Sequence, residues 1–143
     1  MNNRTGKLIF GKSTIIPNMS KMDFIQEFNE NLEEFEINDN VFENSMPLKN
    51  GHIKFWIWFY FKENKLIGLN LENADSGLVN TYQDWSNDRN RRKRESHDKW
   101  LIEQFGEPEE EEETVLIVKR EWGEATSYID MKNGEVKLSI VYK

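Results

Sequence analysis

The chain has 143 residues, 26 of them acidic and 19 basic, for a net charge of −7, with no cysteine and with aromatic residues at 13% beside a hydrophobic share of only 37%. That length fits one domain burying roughly 68–70% of its unfolded surface, the aromatic load separates it from disordered acidic chains, and the acidic surplus disfavours an overall fit to nucleic acid or an anionic membrane. Without cysteine there is no disulfide, thiolate nucleophile or sulfur-ligated metal, and with no signal-like N-terminus and no long apolar stretch the expectation is a soluble, cytoplasmic protein without a membrane span.

The first feature in chain order is Gly6-Lys7-Leu8-Ile9-Phe10-Gly11-Lys12-Ser13, a literal match to the phosphate-loop pattern. A phosphate loop needs a strand before it and a helix straight after the Lys-Ser pair. Here Leu8 to Phe10 are strand-forming where the loop should be, and Thr14-Ile15-Ile16-Pro17 resists helix, so the segment reads as a first strand. Ser20 then suits a helix N-cap, with Met22, Ile25, Phe28 and Leu32 at helical spacing through Glu34. From Ile53 to Leu71 two apolar runs flank a polar turn and predict a hairpin with Glu63-Asn64 as a two-residue loop. That register places Trp56, Trp58 and Tyr60 with Ile67, Leu69 and Leu71, and Ile57, Phe59 and Phe61 with Leu66 and Gly68, so that both faces are apolar.

A second helix is expected from Trp85 to Phe105, with His97, Leu101 and Phe105 stacked and Trp100 alongside, ended by Gly106 and Pro108. Glu107 to Glu113, interrupted only by Pro108, reads as a self-repelling acidic loop that resists ordering. A strand over Thr114 to Trp122 follows, and Asn133-Gly134 predicts a type I′ turn that sets Asp130 opposite Lys137 and Ser127 opposite Ile140. The expected fold is therefore α+β: a single domain over 1–143, with one antiparallel sheet of six to seven strands and two helices in the order β-α-β-β-β-α-β-β-β.

Chemistry-bearing patterns are sparse. His52, His97-Asp98 and Asp130 imitate the metal-binding order of certain phosphohydrolases, but that family is helical throughout, and a metal histidine needs partners converging within about 2.0–2.2 Å, which spacing this loose does not supply. Glu63-Asn64-Lys65 and Glu135-Val136-Lys137 match half of a nuclease site and sit at turns. No catalytic residue, metal or cofactor is therefore assigned, and a metal-dependent phosphoesterase is kept only as an alternative. Arg89, Arg91, Arg92, Lys93 and Arg94 spread around a helix as a charged collar, which leaves a nucleic-acid accessory role as a further alternative.

His97-Asp98-Lys99-Trp100-Leu101, Gly106-Glu107-Pro108, Trp122-Gly123, Ser127-Tyr128, Asp130, Asn133-Gly134 and Ile140-Val141-Tyr142 together resemble a group of small, largely uncharacterised bacterial cytosolic proteins. Some of these are encoded as immunity proteins beside polymorphic toxins. The resemblance spans about the last fifty residues, and this chain carries Ile129 and Met131 where the pattern has Tyr and Pro. It implies a non-enzymatic α+β domain that neutralises a toxin by stoichiometric binding. The expected partner is a protein, a basic toxin domain, with Glu109, Glu110, Glu111, Glu112, Glu113, Trp58, Tyr60 and Trp85 as the binding residues.

Overall fold

A computed structural model describes residues 4–28, 36–38, 40–44, 46–81 and 84–143. The elements in order are β1 (Leu8–Phe10), β2 (Ser13–Ile15), α1 (Lys21–Glu27), β3 (Glu36–Asn38), β4 (Val41–Glu43), β5 (Leu48–Asn50), β6 (Ile53–Lys62) and β7 (Lys65–Asn73). A 3₁₀ turn (Ser76–Leu78), α2 (Asn87–Phe105), β8 (Glu110–Glu111), β9 (Val115–Arg120), β10 (Gly123–Ile129) and β11 (Val136–Tyr142) complete them.

The α+β class and the two helices match expectation, but the single sheet of six to seven strands does not. Among the described residues there are two sheets with eleven strands: the hairpin β1-β2, and a nine-stranded sheet in the order β3-β4-β6-β7-β11-β10-β9-β8 with β5 also on β6. The missing strands are three-residue pieces such as Glu36–Asn38 and Leu48–Asn50, too short to show alternation, and the dipeptide Glu110–Glu111, whose residues have little intrinsic strand preference. Tertiary pairing makes them strands.

The central hairpin turns through Glu63 and Asn64, both at positive φ (51° and 65°), as a type I′ turn requires. Its two faces differ from the expected pair. The register slips between Tyr60 and Phe61, so that Phe61 opposes Leu66 while Tyr60 opposes Gly68, leaving Ile67 as the extra residue of a bulge. Leu69 and Leu71 thereby move opposite Phe59 and Ile57, and Trp56 and Trp58 meet Glu72 and Asn70. A one-residue slip exchanges faces. The result is one dry face and one half-wet face, instead of two apolar ones.

The C-terminal hairpin is also corrected. Ser127 opposes Leu138 and Tyr128 opposes Lys137, two residues from the expected register, and only Gly134 of the turn has positive φ (73°). Asp130 causes the longer loop: its carboxylate accepts the Lys132 N–H (2.9 Å), and its carbonyl accepts from Gly134 N (2.7 Å). A shift of two preserves the faces, so Ala125, Leu138 and Ile140 remain buried.

Both helices pack on the dry face. Ser20 caps α1 by accepting the Asp23 N–H (3.0 Å), and the buried side is Phe24 followed by Phe28, while Met22 is 70% exposed, against expectation. The predicted extension of this helix, with Leu32, lies outside the described residues. Phe24 meets Phe28, Phe42, Phe59 and Phe61 at ring separations of 4.8, 5.1, 4.9 and 5.0 Å. On α2, Trp100 stacks edge-on against Phe55 (5.0 Å), and Phe105 lies 5.0 Å from Trp122. His97, Trp100, Leu101 and Phe105 are all buried, as their spacing predicts, and Gly106 (φ 91°) ends the helix. No helix among the described residues is long and apolar enough to cross a membrane.

Candidate functional site

On the opposite sheet face, alternation presents Trp56, Trp58 and Tyr60 of β6, each half-buried, beside Glu72, Asn70 and Gly68 of β7. Ser139 and Val141 of β11 continue the surface, and Asn70 donates to the Tyr60 hydroxyl (3.1 Å). At the end of this face near Trp58 the segment after β7 folds back and forms a cleft of about 510 Å³ between Trp58, Trp85, Val79, Glu72, Lys93 and Lys137. Trp85 also lines a second cleft of about 510 Å³, with Ile129, Met131, Arg94, Glu113 and Asp130.

Trp85 is 49% exposed, yet its loop is braced. Asn80 accepts from Ser86 N and Arg89 Nε (both 2.9 Å) and donates to Asn90 (2.9 Å), which in turn donates to the Gly134 carbonyl (2.8 Å). Arg89 pairs with Asp84 at 2.7 Å, and Ser86 caps α2 through Arg89 N (3.2 Å). A Cβ at Gly134 would sit 3.1 Å from the Trp85 ring, so the absence of a side chain there lets the indole lie against the turn. Val79 (48% exposed) and Met131 (77%) extend the apolar surface on either side. Sequence reasoning singled out Trp58 and Trp85 but missed Val79, Met131, Asn80 and Asn90. Only a loop rich in asparagine flanking a lone tryptophan hinted at them.

The basic collar is neutralised from within. Arg91 pairs with Asp88 and with Glu95 (2.9 Å), Arg92 with Asp88 (3.2 Å), Arg94 with Asp98 (2.8 Å) and Lys93 with Glu72. The Arg91 hydrogen bond holds the Asp88 carboxyl below its ordinary range, and the same pairing, with Glu95 adding to it, raises Arg91. Lys93 and Arg94 are buried, and Arg94 also donates to the Glu113 carbonyl (2.9 Å).

The acidic run is ordered where it was expected to resist ordering. Glu110 and Glu111 pair with Ile117 and Leu116 as the edge strand β8. Glu109 accepts the Lys119 N–H (2.9 Å) and holds Arg120, which together lower its pKa, and Glu110 lies 3.6 Å from Lys119. Glu111, Glu112 and Glu113 are exposed and form no ion pair among the described residues. From β6 to β8 is five strand spacings, about 24 Å, so Glu109, Glu110 and Glu111 stand across the sheet from Trp58 and Tyr60. Glu113 alone of the run lines a cleft with Trp85.

The metal-like order does not converge. His97 is fully buried, its Nε2 accepts the Asn73 N–H (3.0 Å), and burial, with Lys93 and Arg94 adding to it, pushes its pKa down to about 3. Asp98 is taken by Arg94, Asp130 by its own turn, and His52 is exposed at the β5–β6 turn. Among the described residues no three His, Asp or Glu side chains are grouped to hold a metal. Glu135 and Lys137 pair with each other at 3.0 Å, and Lys65 and Glu63 sit at the exposed β6–β7 turn. The phosphate-loop match is the β1-β2 hairpin, with Gly11 at its turn (φ 62°).

No family model, no curated protein and no solved structure matches the chain. What can be said of function rests on the aromatic row, the two clefts at Trp85 and the distribution of charge around them.

Proposed function

We propose that the chain is a non-enzymatic protein-binding domain of the immunity type, which neutralises a basic toxin domain by forming a stoichiometric complex with it. The observation that carries this reading is the half-buried row Trp56, Trp58 and Tyr60 on the sheet face opposite the helices α1 and α2, continued through the Trp58 cleft to Trp85. Half-exposed Trp and Tyr on rigid elements are the residues that anchor protein interfaces, because they bring a large contact area at little ordering cost. Charge selects the partner. The cations lining the two clefts, Lys93, Lys137, Arg91 and Arg94, are each paired with an acid of the same chain, while exposed Lys54 and Lys62 flank the aromatic row on β6, so the preference for a basic partner rests on the net charge of −7 of the whole chain. A basic partner gains rapid, salt-sensitive association from that field.

Mixing the purified chain with the product of the gene next to its own and resolving the mixture by gel filtration yields one 1:1 peak. Trp58→Ala weakens the complex by about 30-fold, the loss of a hot spot of roughly 2 kcal/mol. Separate elution of the two proteins at micromolar concentration overturns the proposal.

A further inference from the structure

The second cleft at Trp85 has walls that select one kind of side chain. Trp85 and Met131, both exposed, supply apolar surface, Ile129 lies half-buried, and Glu113 and Asp130 line the same space. We infer that this cleft seats an arginine or lysine side chain of the bound protein, an inference that rests on the binding reading above.

The charge balance favours a cation. Arg91 is committed to Asp88 and Glu95, and Arg94 to Asp98 and to the Glu113 carbonyl, so neither guanidinium is left to receive an anion. The Glu113 carboxylate forms no ion pair among the described residues, and Asp130 is engaged through one oxygen by the Lys132 N–H. An entering anion would meet these two carboxylates and displace pairs already made, whereas an entering cation completes them. The apolar part fits as well. A lysine or arginine carries an aliphatic stem that packs along Met131 and Ile129 while its charged end reaches carboxylates, and the indole of Trp85 is the aromatic group that best attracts a cation placed over its face. The Asn80–Asn90–Gly134 hydrogen bonds join Asn80, the start of α2 and the β10–β11 turn before anything binds, which lowers the ordering cost of that wall.

The test is a titration of the ¹⁵N-labelled full chain with hexa-arginine, followed through its five tryptophan indole signals, with hexa-glutamate as the control. The Trp85 indole shifts saturably with hexa-arginine and stays still with hexa-glutamate. The affinity falls at least fivefold in Trp85→Ala, followed through the Met131 amide, and in the double variant Glu113→Gln/Asp130→Asn, while Trp85→Phe retains most of it. Shifts confined to residues 107–112, or an affinity unchanged in Trp85→Ala, overturn the assignment. The complex with the neighbouring gene product separates the two readings. If that complex forms equally with wild type and Trp85→Ala, the cleft assignment fails and the binding reading stands; if no complex forms, the binding reading fails whatever hexa-arginine does.

Discussion

Two buried polar side chains on the helix-covered face of the sheet carry opposite costs. Asn50 is used on both sides: its amide donates to the Ile9 carbonyl (2.9 Å), and its oxygen accepts from Trp100 Nε1 (3.0 Å) and Gln104 (3.1 Å), tying the first hairpin to α2. His97 is used on one side only. Because Nε2 accepts from Asn73, the ring proton resides on Nδ1, which has no hydrogen-bond partner among the described residues. The ring is therefore held neutral, with a folded pKa near 3 against an ordinary 6.5. Below pH 6.5 the unfolded chain takes up a proton that the folded chain refuses. Stability from this group is thus complete above 6.5 and declines as the pH falls toward 3. Urea unfolding at pH 5.0 should give a stability about 2 kcal/mol lower than at pH 7.5. His97→Gln, with no proton to gain, should lower stability at pH 7.5 and remove that difference; equal wild-type stability at the two pH values contradicts the account. Gly134 offers a second residue-scale outcome. Ala there must adopt φ near 73° and press on the Trp85 ring, so Gly134→Ala should cost about 1–2 kcal/mol and move the Trp85 indole signal.

Among the elements, β6 is the organiser, since β4 and β5 both pair along the same edge of it, at Trp58 to Tyr60 and at Ile53 to Phe55. Asn44 fills the gap between them. Its side chain accepts the Ile57 N–H (2.9 Å) and donates to the Phe55 carbonyl (3.0 Å), reproducing a strand's hydrogen bonds just past the end of β4. Removing it orphans a buried donor and a buried acceptor, so Asn44→Ala should lose about 3 kcal/mol in denaturant unfolding; a loss below 1 kcal/mol would show that the ladder closes without it. These contacts also mark the limit of what was legible in the sequence. The long β6-β7 hairpin and the buried face of α2 follow from local periodicity and turn chemistry, and both are present. The bulge at Ile67 is not local information: nothing in LIGLNL distinguishes a slip from a regular ladder, yet the slip decides whether the tryptophans face core or solvent. The Asp130 loop shows the same competition, in which a side-chain acceptor displaced a turn that Asn133-Gly134 alone would favour. At the candidate site Trp58 and Trp85 could be read as potential anchors, whereas Val79 and Met131 join them only through the folding of two loops.

For the whole molecule, the question raised by five basic residues within 89–94 of an acidic chain is whether they serve an external polyanion. If Arg89, Arg91, Arg92, Lys93 and Arg94 each neutralised a phosphate, binding would weaken by about 500-fold between 50 and 200 mM salt, since the logarithmic slope is about −0.9 per contact. Their present partners oppose that use. Lys93 and Arg94 are themselves buried and paired with the partly exposed Glu72 and Asp98, so turning either cation toward a phosphate gives up a pair already made in a less solvated setting than the phosphate offers. Arg91 and Arg92 are exposed but share Asp88, so the first turns of α2 present little net positive charge. Duplex DNA titrated at 50 mM salt should therefore cause no saturable change in anisotropy, and Arg91→Glu/Arg92→Glu should leave that baseline where it was. Saturable binding with a steep salt slope, lost in the double variant, would mean that the collar exchanges its internal acids for phosphates. In that event the surface acidity near Trp85 would serve to keep nucleic acid on α2 and away from the aromatic face, and the partner would have to be sought among polyanions instead of basic proteins.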